Sequence, residues 1–250
     1  MTLRTRAAGI HFLASASVAM LLGVVVFLVW YPHPYARLAG GMNLFGMIVG
    51  IDVVLGPFLT IVVARPNKPR SELQRDIRTI VLLQLVALSY GMYTIALARP
   101  VHLVFEIDRF RVVSAADLDA GHLASAPVAY RNLPWTGPTI IAARKSATQE
   151  EMLRSLDLGL QGMDISMQPE RWEEYAANTD AVLTRARRAT LLVERYPHIS
   201  RELQQIANGN GIPAEEVLFL PLQSRFNSAV ALIAPRDAKV IGFLNVEGFF

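Results

Sequence analysis

Three long apolar runs fill the first 98 positions, and the pattern changes character after them. Ile10 to Trp30 contains one strongly polar residue, His11, in its first turn; Leu44 to Val63 and Thr79 to Leu97 follow. At about 1.5 Å of rise per residue, each run crosses a hydrocarbon layer of about 30 Å as a helix. The spacing therefore predicts transmembrane helices over about 10–30, 44–63 and 79–97. Arg4 and Arg6 precede the first run, but its length exceeds the roughly 7–15 apolar residues of a cleaved signal peptide, so an uncleaved anchor is expected.

Beyond Arg99 and Pro100 the period shortens to two. In VHLVFEIDRFRVV (101–113), Val101, Leu103, Phe105 and Ile107 alternate with His102, Glu106 and Asp108, which predicts one half-buried strand leaving the membrane without a linker. Residues 114–138 read as irregular, with a short helix around 115–123, before a strand at 139–145. Thr148 and Glu151 have capping-box spacing and open a helix to about Leu158. Trp172 and Tyr175 sit in a polar stretch and are expected at the edge of the core. One amphipathic helix is expected from Thr179 to Tyr196, and a shorter one from Ser200 to Ala207, closed by Asn208-Gly209-Asn210-Gly211. Strands at 217–225, 228–235 and 239–249 complete a meander. The fold class is thus a membrane α-helical domain of three transmembrane helices (1–98) plus a C-terminal α+β periplasmic domain with an antiparallel sheet (99–250).

Charge orients this arrangement. Residues 64–78 hold Arg65, Lys68, Arg70, Arg75 and Arg78, whereas the loop at 31–42 holds only Arg37, so the former is expected in the cytoplasm. That places the N-terminus in the cytoplasm, the membrane as the bacterial inner membrane, and everything after Arg99 in the periplasm. Trp30, Tyr31, Tyr35 and Tyr93 then fall near the outer interface, where amphipathic rings are favoured. Residues 1–98 carry eight Lys/Arg against three Asp/Glu, net +5, and residues 99–250 carry sixteen against eighteen, net −2. The basic surplus belongs to membrane flanks, which argues against a nucleic-acid partner.

Asp52 breaks the second apolar run near the bilayer midplane. A carboxylate there costs about 2.5–3.5 kcal/mol on insertion scales, so it is expected to face protein, with protonation left open. Depth along the antiparallel third helix suggests Ser89, Tyr90 and Tyr93 as partners; glue between this chain's own helices, contact with another membrane protein, and proton or ion conduction are the alternatives. Gly46 and Gly50 form a small-xxx-small pair, and Pro57 removes the helical donor of the Val53 carbonyl, which predicts a bend.

Candidate chemistry is sparse. With no cysteine, disulfides, thiolate nucleophiles and cysteine zinc sites are excluded. No G-x-S-x-G, H-E-x-x-H or phosphate-loop pattern occurs, and His102, His122 and His198 lie far apart. Glu150/Glu151 and Glu215/Glu216 read as helix starts. No catalytic residue, cofactor or metal is expected, and an enzyme is the least favoured class.

The run GGMNLFGMIVGIDVVLGPFLTIVVARPNK at 40–68, with RPVHLVFEIDRFRVVSAADL at 99–118, resembles the TfpX/TfpZ family of type IV pilin accessory proteins. The resemblance implies a non-enzymatic, chaperone-like helper for one cognate major pilin, working beside inner-membrane pilus assembly components and within the lipid bilayer. Pilins wait in the membrane with one apolar helix inserted and a globular head outside. Gly46, Gly50, Asp52, Gly56 and Pro57 are accordingly candidates to receive the pilin helix. Glu106, Asp108, Arg109 and Arg111, which fall in the second block, are candidates to touch the head, with strand addition at 239–249 as a further mode if that strand is an edge. The alternative reading is a membrane-anchored periplasmic sensor or transporter component; the short cytoplasmic segments and the single deep ionisable residue weigh against it.

Overall fold

A computed structural model of the chain describes residues 3–65 and 68–250. Pro66 and Asn67 of the basic loop and the side chain of Arg4, all used in the orientation argument, lie outside the described residues. The chain divides into two compact units, Met1–Arg99 and Pro100–Phe250.

In the first unit, helix α1 (Leu3–Val24) continues as a wider π-helical turn, Val25–Trp30, and a short helix α2 (Tyr35–Leu38) leads into α3 (Gly41–Val63) and α4 (Arg70–Ala98). Three helices, Thr5–Trp30, Gly41–Val63 and Arg70–Ala98, are long and apolar enough to cross a membrane. The helix α4 starts well before the apolar run at Thr79, because Glu72, Leu73, Gln74 and Arg75 are good helix formers that need no lipid to propagate the turn. A Lys68–Asp76 ion pair ties that polar extension to the loop. Helix α3 is central and packs on both α1 and α4. Along α4, Ile80, Gln84, Gly91 and Ile95 form the stripe turned inward. Gly91 is needed there, since a Cβ would come within 2.9 Å of Ile48. Tyr31 is buried over Gly41, and its hydroxyl donates to the Ile95 carbonyl (2.9 Å).

The second unit opens with β1 (Pro100–Glu106) and β2 (Arg109–Ser114), an antiparallel hairpin where one strand was expected. The turn is Ile107-Asp108, without the Gly or Asn that marks tight hairpins, so alternation ran through it unbroken. Then follow α5 (Ala120–Leu123), β3 (Thr139–Ala143), α6 (Gln149–Leu160), β4 (Trp172–Glu174), α7 (Thr179–Arg185), β5 (Arg187–Arg188), α8 (Thr190–Arg195), α9 (Ser200–Gly209), β6 (Leu218–Gln223), β7 (Ser228–Ile233) and β8 (Val240–Leu244). The sheet order is β4-β3-β1-β2-β6-β7-β8, with β5 pairing β6. The hairpins are antiparallel as the meander predicts, while the non-sequential pairs β1/β3 and β2/β6 are parallel. The sheet is therefore mixed, within an α+β domain.

Three other expectations are corrected. The helix expected over 179–196 is interrupted: Arg187 and Arg188 pair with Phe219 and Leu218, and the Ala189 N–H donates to the Val217 carbonyl (2.8 Å), so cross-strand bonds outcompete helical ones. Strand β1 is buried on both faces, His102 and Glu106 included, because neighbouring strands and covering segments enclose it. Burial holds the His102 imidazole well down, to about 4, while its Nδ1 pairs with the Thr139 hydroxyl (2.8 Å). Trp172 is likewise interior, packed with Val101, Val104 and Ile141, its indole N–H donating to the Ser166 carbonyl (2.9 Å). A second core joins α8 and α9 to β6, β7 and β8 through Leu192, Leu203, Phe219 and Leu232.

Candidate functional site

Within the first unit, α3 and α4 border an apolar groove of about 420 Å³, with Asp52 and Gln84 among walls such as Leu44, Ile51, Leu55 and Leu83. The Gln84 Nε2 donates to both the Asp52 carboxylate Oδ1 (2.9 Å) and the Asp52 backbone carbonyl (3.0 Å). Its other end is less well satisfied. Gln84 Oε1 is buried and has no hydrogen-bond partner among the described residues. Gly56 explains how the amide fits: a Cβ there would lie 2.3 Å from Gln84 Nε2. A turn further on, the Thr60 hydroxyl donates to the Gly56 carbonyl (2.9 Å) and pairs with His11 Nδ1 (2.6 Å), which accounts for the polar residue at the start of the first span.

The expected partners of Asp52 are thus replaced. Ser89, Tyr90 and Tyr93 are exposed, and Gln84 takes their role because it shares the inward stripe of α4. An amide in the middle of an apolar span marks Gln84 in the sequence, but depth along the helix carries no rotational phase and does not single it out. The five intramembrane candidates also separate. Asp52 and Gly56 face α4, whereas Gly50, two residues from Asp52, points about 160° away around the helix. Gly46 and Gly50 are exposed, and a Cβ at either would meet nothing within 4 Å. Their small-xxx-small face serves no packing among the described residues. Pro57 lies inside α3, which continues to Val63.

In the second unit the four exterior candidates do come together. Glu106, Asp108, Arg109 and Arg111 line one recess of about 380 Å³ at the β1/β2 turn, with Ile107, Asp164 and Gln223. Glu106 is buried, and its carboxylate accepts from the Ser166 N–H (2.9 Å). Burial pushes its pKa up; the Ser166 hydrogen bonds and the Arg111 charge oppose that rise, and Asp164 adds to it. Arg111 forms an ion pair with Asp164, and Arg109 one with Asp108 (2.8 Å). Arg109 also lies over the Phe249 ring, 4.8 Å from its centroid. At the tip, Ile107 adopts a φ of 52° and stays 42% exposed. A β-branched residue in that region is strained, and such strain gathers at functional sites. Asp164 and Ser166 were not anticipated, since they reach the hairpin only through tertiary folding. Strand β8 lies at the sheet edge. No cluster of three or more His, Asp or Glu suited to a metal occurs among the described residues.

A family model described as Fimbrial assembly protein FimB matches residues 1–40. The chain is similar to the fimbrial assembly protein, serogroup I, of Dichelobacter nodosus, with 35% identity over 245 residues, covering 96% of this chain and 94% of that one. The serogroup E1 protein of the same organism is 34% identical over the same shares. A relative from serogroups C1 and C2 is 48% identical over 118 residues, which is 47% of this chain and 90% of that one. No solved structure matches. Since the similarity to the serogroup I and E1 proteins runs through both units and not only the apolar spans, this chain belongs to the family of fimbrial assembly proteins.

Proposed function

We propose that this chain is a non-catalytic inner-membrane accessory protein of type IV pilus assembly, of the TfpX/TfpZ kind, that holds its cognate major pilin before or during assembly. Its N-terminus lies in the cytoplasm and its second unit in the periplasm. The reading is supported by the names of its relatives, by the three membrane-length helices, and by the apolar groove between α3 and α4.

One observation carries it: an Asp–Gln pair whose amide oxygen is buried and unpaired, set in a groove otherwise lined by aliphatic side chains. In hydrocarbon, a polar contact between helices contributes about 0.6–2 kcal/mol, and a helix bearing a polar group gains by meeting another. A pilin's inserted helix lies against this groove, and its head meets the recess around Glu106, Asp108, Arg109 and Arg111. Gly46 and Gly50 give a second close-packing face for a helix on the other side of α3.

Replacing Asp52 tests the reading. Asp52→Leu, at unchanged protein level, is expected to reduce surface pili at least several-fold, while Asp52→Asn, which keeps an acceptor for Gln84, retains most of them. Normal piliation in Asp52→Leu would remove the intramembrane contact.

A further inference from the structure

The chain passes from α4 into β1 within two residues, so Pro100 stands at most about 7 Å from the end of a membrane-length helix. The headgroup layer outside the hydrocarbon is itself about 5–7 Å deep. Within the second unit, strand register brings further connections to the end of the sheet where β1 begins. Ser114, the last residue of β2, pairs with Pro100. Strand β3 runs parallel to β1 with Thr139 beside His102, so the segment 127–138 arrives at this end. Strand β6 runs parallel to β2 with Gln223 beside Arg111, so the loop 224–227 into β7 projects toward the level of Ser114. Arg225 of that loop shares a recess with Ala116 and Asp117, which directly follow β2.

Both connections turn large apolar side chains to solvent: Val128 is 76% exposed, Trp135 62% and Phe226 59%. Neither is a loose excursion. The Tyr130 ring, two residues after Val128, meets the His102 ring edge-on with 6.5 Å between centroids, and Ala126 is buried with Val101 and Val113. The loop carrying Phe226 is closed by the Ser224 N–H donating to the Asn227 carbonyl (3.0 Å) and the Asn227 N–H donating to the Ser224 hydroxyl (3.1 Å). Apolar residues held outward on ordered turns mark a contact surface.

We propose that this end of the second unit rests on the bilayer that α4 crosses, with Val128, Trp135 and Phe226 inserted among the headgroups of the adjacent leaflet. Continuity of the chain argues for that occupant. The two-residue link ties the start of β1 to the lipid, and β3 and β6 lie only one and two strands away from it, about 5 and 10 Å. The chemistry agrees, since tryptophan and other aromatic rings favour the membrane–water interface. Charge contributes little: exposed Arg131 and Arg225 stand against Asp117 and Asp119, so insertion of apolar groups carries the contact and salt does not release it. The hairpin tip at Ile107 is at the other end of β1, about 20 Å away. The inference is independent of the pilin reading, since none of the inserted residues belongs to the sites used there.

The chain has no native cysteine, so single labelled cysteines report depth directly. The full chain is reconstituted in vesicles of phosphatidylethanolamine and phosphatidylglycerol, with a polarity-sensitive fluorophore at Val128→Cys, Phe226→Cys or Ile107→Cys. Lipid spin-labelled on its acyl chain is expected to quench the fluorophore at 128 and 226 several-fold more than at 107, and about 0.5 M salt is expected to leave that difference unchanged. Trp135→Ser should reduce quenching at 128 by at least half, whereas Trp135→Phe should retain it; an unfolding transition matching that of the parent shows that each variant keeps its fold. Quenching at 128 and 226 by headgroup-labelled lipid alone would overturn the proposal, because the tether by itself brings these positions near the surface. Equal quenching at all three positions, unchanged quenching in Trp135→Ser, or release by salt would overturn it as well.

Discussion

Glu106 is buried and Asp52 half-buried, and each carboxyl group is held by a different kind of donor. Asp52 receives a side-chain amide from Gln84; Glu106 receives a backbone N–H from Ser166. A side-chain donor can turn away, whereas a backbone donor is fixed by the fold. For Glu106 the raised pKa has a defined sign: the folded state binds its proton more tightly than the unfolded chain, so its contribution to stability is complete below the ordinary carboxylate range and falls as pH rises through the raised value. His102, held down to about 4, acts oppositely, since stability is lost as pH falls from its ordinary 6.5 toward that value. The two overlap in mildly acidic solution, so the difference between variants isolates Glu106. Glu106→Gln retains an acceptor for Ser166 and is expected to remove the decline with rising pH, measured by tryptophan fluorescence during unfolding of the detergent-solubilised chain. Parallel pH curves for the two proteins would contradict the assignment.

At the scale of elements, the legible and the illegible parts have separate causes. The three spans were legible because a bilayer demands unbroken hydropathy, yet the pairing of their faces was not, since positions facing lipid and positions facing a neighbouring helix are equally apolar. Gln84 is the instance: its type signalled burial, and only the rotation of α4 shows that it meets Asp52. The β1/β2 hairpin was illegible for a local reason. Ile107 occupies a left-handed position where glycine or asparagine is expected, at a cost of about 1–2 kcal/mol, so the turn left no mark in the sequence. The cap of α6 follows half of its sequence pattern: Thr148 accepts from the Glu151 N–H (3.1 Å), but the Glu151 carboxylate reaches past Thr148 to the Ala147 N–H (2.7 Å) and to Arg144. The break at Arg187-Arg188 could not be foreseen, because it depends on hydrogen bonds from β6.

The strained tip separates stability from function. Ile107→Asn places a residue tolerant of positive φ in the turn and is expected to raise the domain's stability by about 1 kcal/mol. If the exposed isoleucine contacts the pilin head, the same variant lowers piliation. A variant no more stable than the parent would show that Ile107 is not strained, and a stabilised variant with full piliation would remove it from the contact.

At the scale of the whole molecule, the proposal requires that Pro100–Phe250 lie beyond the membrane, on the side opposite the basic loop. Fusing alkaline phosphatase, which folds only in an oxidising compartment, to Phe250 is expected to give high activity. Activity confined to a reporter that works in the cytoplasm would reverse the topology and detach the second unit from any exported head. The sensor or transporter alternative survives that result but has no use for a pilin in the groove.

If the groove beside Asp52 receives the pilin's membrane helix, site-specific photocross-linking in native membranes reads that contact most directly. A photoreactive residue at Leu55, which lines the groove, is expected to form an adduct with the major pilin; one at Leu82, exposed but outside the groove, is not, and Asp52→Leu should diminish the Leu55 adduct. Equal adducts at both positions, or none at Leu55, would contradict it.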